Sequence, residues 1–501
     1  MRLALAATLV CALAACGGGG SGSGGTPPSM FTVGANVSGL AGGTMVLQNN
    51  GGDNLTVTTN AAVTFATALA GGAAYSVSVL TQPLGQACAP ANAAGTIGSA
   101  NITNVTVTCV ATSNVTAIIL DNGPPTSNTG ALNAPFVSVT VCAPGTANCV
   151  VVDHVLLDTG SVGLRVGAWA LGTPVLALPA TLVATGGSPL LECYQFADGY
   201  IWGAVRNAEV RIANGTAANI PIHVIGDASA PIPAPPTCST GTNGNLLTAE
   251  STLQMLGANG TLGADVFHYD CDVACATTAL PGYYYTCPGN PCPSTTAGIA
   301  VQVQNPMFSF AAGLNNGIEV VLPNVIAKGQ SDVPGVLVVG IDTPNSPLGS
   351  AQIIMVDASG EFTTVYHSPT AGDLTLPGSF VDSGSNGLFF NDSADSTLVQ
   401  CTQGSLMNTG FYCPSGTLNL SATLMANAGF TGSATTLFTV QNLDTVLTAN
   451  GSATAVPGVA GTNPVPAAGF DWGLPFFFGR SVFVAFEGQA TSTIPGPYFA
   501  F

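Results

Sequence analysis

Two short segments of this 501-residue chain set an aspartate in nearly the same surroundings. Val155-Leu156-Leu157-Asp158-Thr159-Gly160-Ser161-Val162-Gly163-Leu164 and Ser379-Phe380-Val381-Asp382-Ser383-Gly384-Ser385-Asn386-Gly387-Leu388 share one pattern. Each reads as an apolar strand, Asp-Thr/Ser-Gly-Ser, one residue, Gly-Leu, then a second strand. A single aspartate ahead of a glycine is ordinarily a turn residue. Two copies 224 residues apart, at the ends of matching strands, point instead to two related lobes. If the lobes pack about a pseudo-twofold axis, the two carboxylates meet. Like charges ~3 Å apart do not both ionise readily, so the pair shares one proton. One carboxylate then acts as base toward a bound water, and the other, protonated, hydrogen-bonds a substrate carbonyl. Gly160 and Gly384 let backbone approach the carboxylates. Ser161 and Ser385 stand where they hydrogen-bond them, and Thr159 and Ser383 brace the two loops against each other.

The elements that must position this pair are strands. From about residue 115 the chain is rich in Val, Ile, Thr and Phe, punctuated by Gly and Pro. Helical periodicity is sparse, with short candidates at Ser251–Leu256 and Ser396–Cys401. Residues 30–112 alternate differently: runs such as Ser76-Val77-Ser78-Val79-Leu80 and Asn104-Val105-Thr106-Val107-Thr108 are separated by Gly/Asn turns. That pattern predicts a small immunoglobulin-like β-sandwich, without a cluster of reactive side chains, serving as a stalk or spacer. The two aspartate-bearing lobes are then assigned to 113–322 and 323–501.

At these residues the chain resembles the pepsin family of aspartic peptidases. The segment Leu157–Val166 resembles that family's first active-site loop, and Val381-Asp382-Ser383-Gly384-Ser385 its second. Further landmarks follow in the family's order. Phe196-Ala197-Asp198-Gly199-Tyr200-Ile201-Trp202-Gly203 resembles the flap hairpin, and Asn259-Gly260-Thr261-Leu262-Gly263 the segment threading the first lobe. Asn305–Phe310 and Gly335–Asp342 resemble the passage between lobes, and Leu474–Phe486 the closing strands. The ordered series covers residues 133–490. The resemblance implies an all-β fold, a bilobal pepsin-like double β-barrel after the small β-sandwich. It further implies an aspartic endopeptidase whose extended peptide substrate lies against Tyr194, Phe196, Gly199 and Arg165. The departures are specific. Phe196 stands where the family has its flap tyrosine, with Tyr194 two residues earlier. Arg165 follows Leu164 where the family has an aromatic. Pro475-Phe476 stands in place of the Gly-Asp of the second threading segment. The family's basic pro-segment is missing, since no cation lies between Arg2 and Arg165.

The remaining composition bounds the setting. Arg2 and the apolar segment Leu3–Ala15 read as a signal peptide, too short to span a bilayer. Leu13-Ala14-Ala15-Cys16 resembles the bacterial lipoprotein box, which predicts lipidation at Cys16 and a protein held at the cell envelope, at the outer membrane or cell surface. Residues 17–29 form a Gly/Ser tether with a reach of roughly 20 Å. No later segment is long and apolar enough to cross a membrane, so the predicted membrane contact is the lipid alone. This arrangement of anchor, β domain and pepsin-like body resembles an uncharacterised family of bacterial lipoproteins of unknown function. Only 6% of residues are charged, the net charge is −18, and six residues are basic. Nothing is available to build a nucleic-acid-binding patch.

Fourteen cysteines, twelve of them after Cys16, predict disulfides in an exported chain. Local pairing favours Cys142–Cys149, Cys401–Cys413 and Cys88–Cys109. The connectivity of Cys193, Cys238, Cys271, Cys275, Cys287 and Cys292 stays open. A zinc site in the last four is disfavoured by oxidation and by poor spacing, and neither metal nor organic cofactor is expected. The loop His268–Pro293, which holds those four cysteines and Tyr283-Tyr284-Tyr285, reads as a stapled surface insertion. Serine-hydrolase chemistry lacks both a Gly-x-Ser-x-Gly elbow beyond the tether and a motif around His154, His223, His268 or His367; His154 reads as structural. Arg165, Arg206 and Arg211 flank the first loop and the flap, as surface charge or as readers of a substrate carboxylate. Two further readings stay beside the peptidase: a catalytically silent module holding a peptide or envelope polymer, and a structural surface lipoprotein.

Overall fold

Many strands of this chain bury alternate apolar residues, the two-residue period that a half-covered sheet requires, whereas Val162–Gly167 and Gly260–Ala264 are buried throughout. The computed structural model describes residues 29–40, 44–81, 83, 86–111, 114–125, 127, 130–172, 176–182, 187–197, 199–241, 244–289, 291–402, 410–463, 469–491 and 494–501. The expected signal peptide, Cys16, all of the tether but Ser29, and Asp198 lie outside the described residues. No helix among the described residues is long and apolar enough to cross a membrane.

Two units are distinguished. The smaller is built from short strands. Val33–Ser38, Ala62–Thr64, Ile102–Ala111 and Gln86–Ala91 form one four-stranded sheet; Gly52–Val57, Met45–Asn49, Ala74–Thr81 and Ala94–Thr96 form another. Alternate side chains such as Val33, Ala35 and Val37 on one sheet and Met45 and Leu47 on the other are buried.

The larger unit, which holds Cys109–Phe501, is a double β-barrel. Its first lobe is wound from Phe136–Cys142, Cys149–Asp158, Val162–Gly167, Leu191–Gln195, Gly199–Ile212, Gly215–Ile225 and Gly260–Ala264. Its second is a sheet of seven strands among the described residues, with Phe362–Ser368, Gly372–Val381, Leu418–Met425 and Ser433–Val440 as its longer members. Val115–Leu120, Val333–Val339, Gly317–Val321, Ser481–Ala485, Tyr498–Ala500 and Ile353–Met355 continue the first-lobe sheet in that spatial order. The strand leading to Asp158 buries Val152, Val155 and Leu157, each worth roughly 1.5–3 kcal/mol when fully buried.

The two lobes repeat one motif. In the first, Gly260–Ala264 runs parallel to the strand that ends at Asp158 and antiparallel to Val162–Gly167. In the second, Asp471–Trp472 runs parallel to the strand that ends at Val381 and antiparallel to Leu388–Phe389. Each aspartate therefore sits where a strand ends beside a threading strand.

Disulfides join Cys88 to Cys109, Cys142 to Cys149 and Cys401 to Cys413, the three local pairs anticipated. The six central cysteines pair as Cys193–Cys238, Cys271–Cys275 and Cys287–Cys292. Cys271, Cys275, Cys287 and Cys292 are thus oxidised and offer no thiolate to a zinc ion. Cys401 and Cys413 also lie near Asp444, but their sulfurs are likewise consumed in a disulfide. Two sequence expectations need correction. Leu253–Leu256 is a helical turn, capped by the Thr252 side chain, whereas Ser396–Cys401 is turn and bridge, Gln400 pairing with Tyr412. The segment His268–Pro293 is stapled by Cys271–Cys275 and Cys287–Cys292 and exposed over much of its length, yet its centre is not surface. Its Tyr284 and Tyr285 are fully buried and form a strand against Leu191–Gln195.

Candidate active site

Asp158 is the last residue of its strand and Asp382 the first beyond its own, and each enters a turn whose hydroxyl residue reaches into the other lobe. Thr159 Oγ1 donates to Val381 O at 3.0 Å and accepts from Ser383 N–H at 2.9 Å. Ser383 Oγ donates to Leu157 O at 2.7 Å and accepts from Thr159 N–H at 3.1 Å. Four reciprocal hydrogen bonds, all buried, lock the loops back to back. Only residues with both a donor and an acceptor on one oxygen can do this.

The brace delivers the carboxyls to one another. A β-carbon added to Gly160 would lie 2.5 Å from Asp382 Cγ, and one on Gly384 would lie 2.7 Å from Asp158 Cγ. Each glycine leaves the space that the opposite carboxyl fills, so the two carboxyls face each other across the loops. The remaining contacts are symmetric. Gly160 N–H donates to Asp158 Oδ1 at 2.9 Å and Ser161 Oγ to Oδ2 at 2.5 Å. Gly384 N–H meets Asp382 Oδ1 at 2.7 Å and Ser385 Oγ meets Oδ2 at 2.8 Å. Exposure is less even: Asp158 is 6% exposed, Asp382 more open. Burial pushes the Asp158 carboxyl well above the ordinary aspartate range, the charge of Asp382 pushes it further, and the Ser161 and Gly160 donors oppose this.

The threading strands correct one alignment and add two acids. Gly263 packs against the backbone of Ser161, Val162 and Gly163, and Gly473 against that of Ser385 and Gly387. Gly473, rather than Pro475, is thus the glycine of the second threading segment, and its register matches that of Gly263. Two residues before it stands Asp471, unremarked in the sequence. Ser385 Oγ lies 2.7 Å from Asp471 Oδ2. Burial drives this carboxyl well above its usual range, and Asp382 and then Asp158 add to the rise against the Ser385 hydrogen bond. Matching Thr261-Leu262-Gly263 to Asp471-Trp472-Gly473 would have found it. Asp265 follows the first threading strand; burial pushes it up to about 7, Val266 N–H opposing and Asp382 and Glu487 reinforcing. Nothing in its sequence setting marks it.

The segment likened to a flap is the hairpin of Leu191–Gln195 with Gly199–Ile212, closed by a hydrogen bond from Phe196 N–H to Gly199 O at 2.8 Å. A β-carbon on Gly199 would strike the Glu250 side chain. One side of its first strand is pinned: Cys193 is bonded to Cys238, and the Gln195 amide donates to Cys238 O and Thr240 O. Tyr194 packs edge to face with Phe196 at 5.0 Å.

Arg165 must be corrected. Its side chain is fully buried, its guanidinium stacks 3.5 Å from the Tyr194 ring centroid, and it pairs with Glu192 at 2.8 Å and Asp270 at 3.5 Å. Burial raises the Glu192 carboxyl, but Arg165 and His223 overcome it and hold Glu192 down to about 2. Arg165 is therefore held inside the lobe against Tyr194, out of reach of a carboxylate in solvent. Arg206 is engaged by both oxygens of Asp227, and Arg211 by Glu209. His154 bonds Asp121 at 3.1 Å.

Residues 110–501 match the family described as "Protein of unknown function (DUF3443)". The chain belongs to this family. The matched region of this DUF3443 protein contains both aspartate loops, the flap hairpin and both threading strands. No curated protein sequence matches the chain. Among solved structures, the aspartic proteinase from Irpex lacteus is similar at 13% identity, covering 77% of this chain and 96% of that one, with a TM-score of 0.41.

Proposed function

We propose that this protein is an aspartic endopeptidase-like hydrolase that cleaves extended peptide with a water held between Asp158 and Asp382. The observation that carries the reading is the mutual approach of the two carboxyls, each against the other loop's glycine. The buried Asp158 holds the shared proton, consistent with its raised carboxyl, and the more open Asp382 is the base. Asp382 takes a proton from the water as the oxygen attacks the peptide carbon, and Asp158 donates to the carbonyl oxygen. Collapse of the tetrahedral intermediate passes a proton to the leaving amine. Water and two carboxyls complete the balance, so the scheme calls for no metal or organic cofactor. The hairpin carrying Tyr194 and Phe196 would cover the peptide. Lipidation at Cys16, with the tether behind it, would hold the enzyme at a bacterial cell envelope.

The test is digestion of unfolded protein substrates across pH 3–7 by the wild type, Asp158→Asn and Asp382→Asn. Cleavage by the wild type that disappears in both variants supports the proposal. Peptide bound without cleavage at any pH replaces it with the silent binding module. Neither cleavage nor binding leaves a structural lipoprotein.

A further inference from the structure

Ser385 Oγ lies within hydrogen-bonding distance of two carboxylate oxygens, 2.8 Å from Asp382 Oδ2 and 2.7 Å from Asp471 Oδ2. A serine hydroxyl has one proton and two lone pairs. It donates to one carboxyl, and the second contact is a hydrogen bond only if that carboxyl is protonated and donates to Ser385. Asp158 faces Asp382 across the two loops, and Ser385 joins Asp382 to Asp471. This line of groups calls for one proton between the first two carboxyls and one more on a carboxyl beside Ser385.

The burial of the carboxyls locates that second proton. Asp471 is 7% exposed, and its Oδ1 is buried with no hydrogen-bond partner among the described residues. Its neighbours in register are Phe380 and Phe389, both apolar; the charged groups facing it are Asp382 and Asp158. A dry, unpartnered oxygen is far more costly on a carboxylate than on a carboxylic acid. Asp382 is more open and already accepts from Gly384 N–H. The proton belongs on Asp471.

We propose that Asp471 is a positioning residue: protonated, it donates to Ser385 Oγ, which turns the serine proton onto Asp382 and makes Asp382 the base of the pair. The inference rests on the hydrolytic reading above. Two donors in series strengthen each other. Among the described residues the Ser161 hydroxyl meets only the Asp158 carboxyl, so the Asp471–Ser385 contact selects between two otherwise symmetric aspartates. When Asp471 loses its proton to solvent at rising pH, its anion competes for the Ser385 proton and the selection fails.

Two variants separate this from a packing role. Asp471→Asn keeps an N–H to donate to Ser385 but cannot ionise, whereas Asp471→Leu keeps the volume and loses the donor. The expected kcat of the Asn variant exceeds that of the Leu variant by up to about tenfold, the upper weight of one hydrogen bond between neutral groups. The alkaline limb of its pH–rate profile moves upward by about one unit or more, because the ionisation that broke the chain is gone. Equal rates in the two variants, or an alkaline limb like the wild type's, would overturn the inference. A readout independent of cleavage is carboxyl-carbon NMR of aspartate-labelled protein. The signal lost in Asp471→Asn is expected to titrate above the ordinary aspartate range, with a midpoint that falls in Asp382→Asn. Titration in the ordinary range overturns the proton placement even in an active enzyme. The expected titration in a wild type that cleaves nothing supports the placement and overturns the hydrolytic reading alone.

Discussion

Asp158 and Asp382 are distinguished from other turn aspartates by what surrounds them: a glycine with no side chain to block approach, a serine hydroxyl, and each other. Arg165 is the opposite case, a cation whose place beside the active-site loop invites a substrate-reading role that its burial removes. Arg165→Gln should therefore act on stability. Breaking one side of a buried ion pair costs about 3–5 kcal/mol, so its urea midpoint should fall sharply; a variant as stable as the wild type would put the guanidinium in solvent. The aspartate pair was legible because the motif occurs twice, and repetition makes an ordinary turn informative. Arg165 and Asp265 were misread or missed because burial is set by strands distant in sequence, Leu191–Gln195 for one and Glu487 beside the other. Asp471 was hidden by a two-residue slip, since Gly473 rather than Pro475 fills the glycine's place.

Among the elements, the brace carries the geometry. Thr159 and Ser383 are fully buried, so Thr159→Val, nearly the same shape without the hydroxyl, leaves Ser383 N–H and Val381 O unpaired. An unsatisfied buried group costs about 1–3 kcal/mol. Equilibrium unfolding should register a loss of that order, and catalysis should fall further than stability explains, because the loops drift apart. Unchanged stability and rate would mean that the brace does not set the pair. The strand–turn–strand units and the small sheets could be read from period-two alternation and Gly punctuation. The pairing of Cys193 with Cys238 could not, because it depends on the hairpin folding back against Pro236–Ser239. Nor could the strand at Tyr284–Tyr285, whose cysteine-rich neighbourhood resembles a loop until the flap strand is seen beside it.

At the scale of the whole protein, burial has left several carboxyls with raised pKa values: Asp158, Asp270 and Asp471 well above the usual range and Asp265 up to about 7. A carboxyl whose folded pKa exceeds its unfolded one near 3.9 stabilises the fold below that unfolded value and loses the contribution as pH rises through the folded pKa. Glu192, held at about 2, has the opposite sign: its contribution is full above its unfolded pKa and disappears as pH falls through about 2. The melting temperature should therefore be higher near pH 5 than near pH 8. Asp265→Asn should narrow that difference by a few degrees, measured by calorimetry at both values. A melting temperature that rises from pH 5 to 8 would mean these carboxyls are ionised and solvated. If the two lobes bring one aspartate each to a shared water, an extended peptide whose scissile carbonyl is replaced by a hydroxyl-bearing tetrahedral carbon should displace that water and bind both carboxyls. Calorimetric titration should show stoichiometric binding to the wild type and at least about hundredfold weaker binding to folded Asp158→Asn and Asp382→Asn. Equal affinity in all three proteins would mean that the two carboxyls do not share a site.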